Sequence, residues 1–505
     1  MTFKFDFKSY RNILIAALSI RIIAAVFSQG YGMHDDHFLV IEASSSWTDG
    51  YDYNHWLPGS EGNKGPEGHS FSYVGLNYVY FSVLKGIGIS DPKILMLINR
   101  LIHGFFSILV VFFGIKITEV LSNKKNAIIV GWFLALLWVI PFLSVRNLVE
   151  MACIPFLMWS IWLMMKNIDV EHIRNNKWNY LFAGLLMGLS VSFRYQVGVF
   201  ALGFAAYYLF NKKIVQFAVF SFGVLLSFSI TQGLVDYIIW GYPFAELMGY
   251  FTYNMNEGTG YIPNANYFMY VMVLMGALLF PMGLVMGLGF FKSAEKYFIL
   301  FLPVILFVIF HSLYPSKQER FILPVLPLFI MLGVMGYESL REKDFWRKTW
   351  NFSMKAFWIL NIPLLMLASF TYSKKSRVES MYYFYENDIE PYHLLLESTG
   401  ETGASMVPRF YSGTWFRAIT GRKDKSEPLE VKEDYYVFDY IFFYGEEGLE
   451  ERISDYKGIY PEMELKKICE PSFVDKFLRW LNPRNSNEYI EVWETHAVIG
   501  PPPGN

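Results

Sequence analysis

Long apolar stretches alternate with short polar segments over residues 1–372 of the chain, and most of them are long enough to cross a bilayer as helices. The hydrocarbon core of a bilayer needs about 20 apolar residues per helix. Eleven segments fit this requirement and are predicted as membrane spans: 11–29, 94–120, 126–143, 147–166, 178–193, 196–211, 214–235, 267–291, 296–312, 319–337 and 352–372. The pattern therefore predicts an α-helical, multi-pass membrane protein.

A further apolar segment, 71–90, contains Lys85 and three glycines, and is either a twelfth span or a helix on the membrane surface. Lysine and arginine favour cytoplasmic loops. With eleven spans and a cytoplasmic N-terminus, these cations fall in loops on one side: 1–10, 121–125, 167–177, 212–213, 292–295 and 338–351. The opposite loop 236–266 has none. A twelfth span would reverse this bias, so 71–90 is predicted to be interfacial and the C-terminus extracytoplasmic.

The first apolar run is predicted to remain as an uncleaved helix. Arg21 interrupts it, and no small-x-small cleavage site follows.

The pattern changes at residue 373, where charged residues and turn formers return. Residues 434–445 are aromatic and β-branched, which predicts a buried strand, and 487–495 alternate as a half-buried strand does. Residues 473–481 between them predict a short amphipathic helix. We therefore expect a transmembrane domain over 1–372 and a small extracytoplasmic α/β domain over 373–505.

Composition supports the membrane prediction. Of 505 residues, 53% are hydrophobic and 17% charged, against about 25% charged in soluble proteins. The net charge of -2 argues against a nucleic-acid binder. The two cysteines are Cys153, in an apolar run, and Cys469, in a charged region. They exclude a disulfide framework and a cysteine metal cluster.

The first outer loop begins with an unusual polar group, His34, Asp35, Asp36 and His37. Adjacent carboxylates raise one pKa of the pair, which suits a general base near neutral pH. Two other interpretations remain open. Asp35 or Asp36 could cap a helix, or the four side chains could bind a divalent metal.

The second and third outer turns carry further charges. Arg146 and Glu150 stand four residues apart and could pair on one helix face, which would be a purely structural role. Arg194 lies at the end of a predicted span. A lone arginine in that position often extends to lipid headgroups.

The fourth and fifth outer loops add aromatic, amide and cationic side chains. Loop 236–266 is rich in Tyr and Asn, which suits sugar rings but also an interfacial aromatic belt. The segment from His311 to Phe321 includes Lys317 and Arg320, two cations outside the cytoplasm against the general bias. Such exceptions indicate an anionic partner, and arginine suits phosphate.

Together the outer loops favour sugar transfer from a lipid phosphate. A carboxylate would take the proton of an acceptor hydroxyl, and cations would stabilise the departing phosphate. The sugar would pass through an oxocarbenium-like state. A single displacement of this kind inverts the anomeric centre.

Two motifs resemble the GT-C glycosyltransferases, and among them the polyprenyl-phosphate-mannose-dependent mannosyltransferases of the Alg9/Pig-B-like type. Residues Met33 to Phe38 are similar to that family's His-Pro-Asp-Glu-x-Phe motif. Residues Ser316 to Pro327 are similar to its His-Lys-Glu-x-Arg-Phe motif followed by Leu-Pro-x-x-Pro. Weaker similarities are the Arg146-Asn147 to Glu150 turn and Phe251 to Asn254. The resemblance covers roughly residues 1–340.

The resemblance implies roles for the residues that match. Asp35 takes the place of the family's base, and Asp36 replaces its Glu. The candidate donor-phosphate ligands are Lys317, Arg320, Arg146 and Arg194. The candidate substrate-binding residues are His34, His37, Glu150, Tyr253, Asn254, His311 and Glu319.

The same resemblance implies the substrates and the location. We expect a polyprenyl-phosphate sugar donor carrying mannose or a related hexose, a glycan or lipid-linked acceptor, contact with membrane lipid and no nucleic acid. No cofactor is expected, although a divalent metal stays an open alternative. The departures from the motifs, such as Ser316 for His and Gln318 for Glu, leave the sugar open and favour a bacterial inner membrane over the endoplasmic reticulum.

Two other functions are compatible with the pattern. A transporter or flippase for a lipid-linked sugar would place ionisable residues near the membrane midplane and would often show repeated halves. Here most of the candidate ionisable residues lie at outer helix ends. Arg100 and His103, within the second span, are the main exceptions and are predicted to face the bundle interior, and no repeat is visible. A scaffold with a partner-binding C-terminal domain would leave the first and fifth outer motifs unexplained.

Overall fold

The fold is mostly helical, with one small sheet near the C-terminus. The structure, a computed structural model, describes residues 6–60, 62–63, 65–166, 176–256, 266–398, 407–415, 418–422, 438–482 and 488–497. The α-helices are α1 (Tyr10–Phe27), α2 (Ala43–Thr48), α3 (Phe71–Gly86), α4 (Pro92–Leu121), α5 (Lys124–Leu136), α6 (Val139–Ser144), α7 (Val149–Ala152), α8 (Ile154–Met165), α9 (Lys177–Phe193), α10 (Gly198–Phe210), α11 (Ile214–Phe228), α12 (Val235–Trp240), α13 (Ala245–Asn256), α14 (Met269–Ala277), α15 (Met282–Ser293), α16 (Phe298–Leu313), α17 (Leu326–Tyr337), α18 (Asp344–Ser369), α19 (Lys375–Glu386), α20 (Leu449–Ile459) and α21 (Phe473–Leu481).

Shorter helical turns and five strands complete the described elements. The strands are β1 (His393–Glu397), β2 (Ala418–Arg422), β3 (Tyr440–Tyr444), β4 (Glu464–Cys469) and β5 (Ile490–Glu494). The π-helical segments are Asp36–Glu42 and Ser229–Leu234, and the 3₁₀ turns are Tyr195–Val197, Glu319–Val325, Leu340–Glu342 and Arg409–Ser412.

Five helical segments are long and apolar enough to cross a membrane: Tyr10–Phe27, Pro92–Leu121, Ile214–Trp240, Glu319–Glu342 and Asp344–Ser369. Shorter apolar helices are Val149–Met165, Tyr195–Phe210 and Phe298–Leu313. The chain is therefore an integral membrane protein with five or six candidate spans among the described residues. The count of eleven stays a prediction, although each of the eleven segments contains helix.

One predicted span is not a single straight helix. Residues 267–291 form α14 and α15, which meet at an angle of 118°. Pro281 stands at the break, where it cannot donate a backbone hydrogen bond to the preceding turn. The pair is a broken span or a re-entrant loop, so the prediction that 267–291 crosses the membrane stays a prediction.

Clustering of backbone contacts divides the chain into two compact units. The first, here called the helical unit, is Met1–Val26, His55–Leu76 and Asn99–Ser369. The second, here called the sheet unit, is Phe27–Asn54, Asn77–Ile98 and Phe370–Asn505.

Glycines bring helices of the helical unit into close contact. A Cβ on Gly184 of α9 would meet the backbone oxygen of Phe220 of α11 at 2.2 Å, and one on Gly289 of α15 would meet that of Gly333 of α17 at 2.0 Å. Small residues are the usual means of close helix approach in membranes, since lipid provides no hydrophobic driving force. Larger side chains at these positions would separate the helices.

Buried arginines inside the helical unit bind backbone carbonyls. Arg21 donates to Ser107 Oγ at 2.7 Å and to the carbonyl oxygens of Ala17, Ala135 and Leu134. Arg100 donates from Nε to the carbonyl oxygen of Ala25 at 2.7 Å. Both side chains are almost fully buried. These contacts satisfy cations that would otherwise be costly in an apolar interior, and the bundle-interior prediction for Arg100 is confirmed.

The sheet unit contains a five-stranded mixed sheet with strand order β2-β1-β3-β5-β4. Strand β1 pairs in parallel with β2 and β3, whereas β5 pairs antiparallel with β3 and β4. The predicted strands within 434–445 and 487–495 and the predicted helix 473–481 are confirmed as β3, β5 and α21. Residues 434–437 and 487 lie outside the described residues.

Both faces of the central strands are covered. Phe384 of α19, Phe38 and Phe81 pack on one face with Phe442. Tyr456 of α20 packs on the other with Phe443, Ile441 and Trp493. This explains why β3 is apolar at every position, as strands buried on both faces are.

Two buried ion pairs connect the elements of the sheet unit. Arg377 of α19 donates to both carboxylate oxygens of Glu488 at 2.7 Å, and Arg452 of α20 donates to Glu397 of β1 at 2.5 Å. Removing one partner of a buried pair costs about 3–5 kcal/mol because the other charge stays buried. Cys153 and Cys469 are both free and buried.

Candidate functional site

Glu150 of the helical unit is a fully buried carboxylate bound by two arginines. Its Oε1 lies 3.0 Å from Nη1 of Arg194 and 3.6 Å from Nε of Arg320. Both arginine side chains are about nine-tenths buried. We call these three residues the arginine cluster. It joins three of the outer turns that the sequence singled out.

Local structure explains how the three side chains reach one point. Glu150 stands in α7, which is separated from α8 at Cys153 and is only one turn long. Arg194 follows the last residue of α9 in an extended conformation, and Arg320 lies in the 3₁₀ turn Glu319–Val325. The guanidinium of Arg194 lies 4.7 Å above the ring of Phe321, and Arg320 donates from Nε to Gln318 Oε1 at 2.7 Å.

The arginine cluster carries one more positive charge than negative. Within the described residues, Nε and Nη2 of Arg194 are buried without a hydrogen-bond partner, and so are both carboxylate oxygens of Glu150. Buried guanidinium groups are costly unless their N–H groups are satisfied. An anion with several oxygens would satisfy both the charge and these donors.

The side chains of Arg194 and Arg146 are both buried, which bears on the structural roles considered for them. The headgroup interpretation of Arg194 is wrong, because its side chain is buried against Glu150 and Phe321. Arg146 is buried as well, and it donates from Nη1 to the carbonyl oxygen of Phe142 at 2.9 Å over the Phe142 ring. Glu150 is paired with Arg194 and Arg320, which come from two other outer turns.

The fifth outer turn contributes one more buried cation to the helical unit. Lys317 donates from Nζ to the carbonyl oxygen of Tyr314 at 2.7 Å and lies 5.6 Å from the ring centre of Tyr267. His311 is buried, stacks on Phe307 with ring centres 4.0 Å apart, and bonds from Nδ1 to the Phe307 carbonyl at 2.9 Å. Glu319 is exposed.

The two residues predicted from loop 236–266 differ in surroundings. Tyr253 is exposed. Asn254 accepts a hydrogen bond from the Tyr314 hydroxyl at 2.7 Å and donates to the Tyr250 carbonyl, also at 2.7 Å. Asn254 thereby connects α13 to the turn that carries Lys317. The rest of this loop, 257–265, lies outside the described residues.

The first outer motif belongs to the sheet unit. It opens a helical segment that begins at His34 and passes through π-helical turns at Asp36–Glu42 into α2. Such π-helical insertions are rare and often occur at functional sites. The capping interpretation is not supported, since Asp35 makes no side-chain capping bond.

The four polar residues of this motif occupy three different environments. His34 and Asp35 are partly exposed, with Nδ1 and Oδ1 3.7 Å apart. Asp36 is buried. His37 is fully buried between the rings of Tyr31 and Tyr411, whose centres lie 4.6 and 5.7 Å from its own. Of the two candidate catalytic carboxylates, Asp35 is therefore the accessible one.

His37 bonds to a buried carboxylate that the sequence did not assign to the site. Its Nε2 lies 3.1 Å from Oε1 of Glu42, which also accepts from the Phe410 backbone amide at 3.0 Å. Both side chains are fully buried. The pair therefore connects the start of the first outer loop to the segment around Phe410 in the same unit.

A family model now decides the classification. The Alg9-like mannosyltransferase family matches residues 12–393, which is more than half of the chain. The chain belongs to the Alg9-like mannosyltransferase family. The resemblance inferred from the first and fifth outer motifs is thereby confirmed, and the chain is a GT-C glycosyltransferase. No curated protein matches the sequence.

Solved structures of low sequence identity share the fold. ArnT from Cupriavidus metallidurans in the apo state has a TM-score of 0.60 at 10% identity, over 97% of this chain and 98% of that one. ArnT bound to undecaprenyl phosphate gives 0.60 at 12% identity over the same shares. The oligosaccharyltransferase AglB from Archaeoglobus fulgidus, in complex with an inhibitory peptide and a dolichol-phosphate, gives 0.50 at 10% identity over 86% and 69%.

The helical unit of this mannosyltransferase-family chain contains another buried carboxylate, Glu246, which was not predicted from the sequence. Glu246 of α13 accepts from the backbone amides of Gly68 and His69 at 2.8 and 3.0 Å and from Trp240 Nε1 at 2.8 Å. Burial raises the pKa of this carboxyl to about 7, against the effect of these hydrogen bonds. The only signal in the sequence is an isolated acid in an aromatic, apolar stretch.

The described residues hold no group of three or more His, Cys, Asp or Glu side chains arranged to bind a metal ion. The candidate site residues described above fall into two groups. The helical unit has the arginine cluster with Lys317, and the sheet unit has the His34 to His37 motif with Glu42.

Proposed function

We propose that this mannosyltransferase-family chain moves a sugar, mannose or a related hexose, from a polyprenyl-phosphate donor to a glycan or lipid-linked acceptor, with inversion at the anomeric carbon. The arginine cluster is the observation that carries the proposal. Two guanidinium groups against one carboxylate leave a positive site with unfilled donors. A phosphate group matches both properties.

The solved relatives support a lipid phosphate as the anion. ArnT is described with undecaprenyl phosphate and AglB with a dolichol-phosphate. We propose that Arg194 and Arg320 bind the donor phosphate, and that Lys317 and Arg146 add to the positive field around it. Glu150 holds the two arginines in place and keeps them from repelling each other.

Asp35 is proposed as the general base. It is the more accessible of the two adjacent carboxylates, and His34 lies beside it. The acceptor hydroxyl oxygen forms a bond to the anomeric carbon while the bond from that carbon to the phosphate oxygen breaks. The hydroxyl proton goes to Asp35, and the polyprenyl phosphate leaves as an anion. Asp36, in the next position, is proposed to act on Asp35 through its negative charge.

The other predicted site residues are assigned to the substrates. We propose that His34, Tyr253, Asn254 and Glu319 contact the sugar or the acceptor, since such side chains can hydrogen-bond or stack on sugar rings. His37 and His311 are buried, so we propose that each positions the side chains around it in its own unit.

We further propose the membrane topology given by the charge pattern. The N-terminus is cytoplasmic, residues 1–372 provide the catalytic membrane domain, and 373–505 provide an extracytoplasmic α/β domain on which 27–54 and 77–98 pack. The clustering of Lys and Arg in alternate loops supports this orientation. Transfer would then occur on the extracytoplasmic face, most naturally of a bacterial inner membrane.

A transporter or flippase for a lipid-linked sugar is the second candidate, and the broken pair α14 and α15 favours it. Transporters often bind substrates at interrupted helices. However, the residues at this break are Leu278, Leu279, Phe280 and Pro281. They offer no charged or hydrogen-bonding side chain to a substrate.

Product analysis separates the two functions. The full chain is purified, reconstituted into liposomes, and given polyprenyl-phosphate mannose together with a lipid-linked glycan acceptor. A transferase releases free polyprenyl phosphate and extends the acceptor with an inverted linkage. Movement of intact donor across the bilayer without release of polyprenyl phosphate would reject the transferase proposal.

The Asp35→Asn variant is the internal reference for this experiment. It should release no polyprenyl phosphate above background while it elutes as the wild type does in gel filtration. Asp455→Asn, an exposed carboxylate on α20, is the matched control and should retain wild-type activity.

A further inference from the structure

Helix α21 of the sheet unit exposes a row of large apolar side chains. Phe473 and Trp480 are 79% and 76% exposed, and Phe477, Leu478 and Leu481 are exposed as well. Phe473, Phe477 and Trp480 stand at positions i, i+4 and i+7, so they share one helix face. The rings of Phe477 and Trp480 stack with centres 6.0 Å apart. This surface, here called the α21 face, is continuous and aromatic.

The helix is built to hold this face outward. Ser472 and Asp475 form a reciprocal capping box at its start, with the Asp475 amide donating to Ser472 Oγ at 3.2 Å. Val474 is buried and fixes the helix to the rest of the unit. Because the helix is capped and fixed by a buried residue, it stays folded. Its apolar side is therefore exposed in the folded helix, and this exposure is not a result of fraying.

The polar side of α21 carries cations. Lys476 pairs with Glu470 at 2.6 Å, and Arg479 is exposed. Asp475 is already engaged in the capping box. A short helix with Phe, Trp and Leu on one side and Lys and Arg on the other has the composition of helices that lie in a membrane interface. Trp is also enriched at that depth of a bilayer.

We propose that α21 is an interfacial membrane anchor, with the α21 face inserted among lipid headgroups and upper acyl chains and the cations close to lipid phosphates. The bilayer is the apolar environment that α21 meets most readily, because the membrane spans of the same chain anchor it there. The covalent link gives α21 a high effective concentration at the membrane surface. A surface of this kind left in water would favour aggregation. The proposal does not depend on sugar transfer, since it rests on the membrane spans and on this helix alone.

The test uses the full chain in liposomes of phosphatidylcholine and phosphatidylglycerol. Phe473→Cys is labelled with an environment-sensitive fluorophore, and Arg479→Cys, about 120° away around the helix, is the matched control. The label signal of the wild type, whose two cysteines are buried, is subtracted. Quenching is measured with doxyl-labelled lipids and with aqueous iodide.

We expect lipid quenching to be roughly fivefold stronger at position 473 than at position 479, with iodide quenching in the opposite order. Equal iodide quenching at both positions would overturn the proposal. Protection of position 473 from both quenchers would also overturn it, because a second copy or another part of the chain would then cover the α21 face. Both variants must elute as the wild type does, and Trp480→Cys replaces Phe473→Cys if the latter does not.

Discussion

The candidate site residues of the two compact units carry opposite charges. In the helical unit, Arg194 and Arg320 surround one buried carboxylate, and Lys317 lies in the same turn as Arg320. In the sheet unit, Asp35, Asp36 and Glu42 occur within one helical segment, residues 34–48. The other ionisable side chains of this segment are two histidines. The proposed function assigns a different task to each group: the cations bind the leaving phosphate, and Asp35 removes the acceptor proton. We call this proposal the division of labour.

The largest effect is expected from the proposed base. Asp35→Asn should lower kcat about 10²- to 10⁴-fold, the usual contribution of a general base, while donor binding stays unchanged. Asp36→Asn should have a smaller effect, because Asp36 is buried and acts through its charge. Initial rates of polyprenyl phosphate release measure both. If the Asp36 variant lost activity while Asp35→Asn kept it, the two roles would have to be exchanged.

A smaller effect is expected from the cations of the helical unit. Arg320→Ala and Lys317→Ala should each raise the donor KM about 10- to 100-fold, since a charged hydrogen bond to phosphate is worth about 1.5–3 kcal/mol. The acceptor KM should hardly change. Arg347→Ala, an exposed arginine in α18, serves as the control. A change in the acceptor KM alone would contradict the phosphate role.

The His37 and Glu42 pair should matter for stability more than for binding. His37→Phe keeps a ring between Tyr31 and Tyr411 but removes one of the two described donors to Glu42. We expect a loss of about 1–3 kcal/mol, the cost of an unsatisfied buried polar group. A lower thermal unfolding midpoint in detergent would show it, with the exposed His34→Phe as control. Wild-type stability combined with a raised substrate KM would indicate direct substrate contact instead.

The smallest effect concerns Glu246. Its pKa in the folded protein is raised from 4.5 to about 7 by burial. The stabilising contribution is therefore complete below pH 4.5 and is lost as the pH rises through 7, where a buried charge forms. The free energy of unfolding of the wild type should fall over this window by on the order of 1 kcal/mol per pH unit, and the thermal midpoint should fall with it.

Glu246→Gln tests this origin of the pH dependence. The variant cannot ionise, so its thermal midpoint should vary less with pH than that of the wild type. Glu295→Gln, at an exposed position, should keep the wild-type profile. Identical profiles for wild type and Glu246→Gln would show that Glu246 does not ionise in this range.

Much of the fold could be predicted from the sequence because it follows from local pattern. Each predicted span contains helix. Strands β3 and β5 and helix α21 lie where an aromatic run, an alternating pattern and an amphipathic pattern indicated them. The break between α14 and α15 was missed because an apolar run looks the same whether it is straight or bent. The joining of 27–54 and 77–98 to the C-terminal residues depends on distant contacts that no local pattern contains.

The residues of the arginine cluster could be singled out from the sequence, but their pairing could not. Glu150, Arg194 and Arg320 each stood out at an outer helix end, yet the local spacing suggested Arg146 as the partner of Glu150. The partners observed come from the third and fifth outer turns. Likewise, the motif placed His37 beside Asp35 without showing that its ring points into the core toward Glu42.

The division of labour can be tested most directly by equilibrium binding of polyprenyl phosphate to the full chain in nanodiscs. The wild type, Asp35→Asn and Arg320→Ala are compared under the same conditions. The account predicts that Asp35→Asn binds as tightly as the wild type, although it does not turn over, and that Arg320→Ala binds at least about tenfold more weakly. Loss of binding in Asp35→Asn together with wild-type binding in Arg320→Ala would contradict the account.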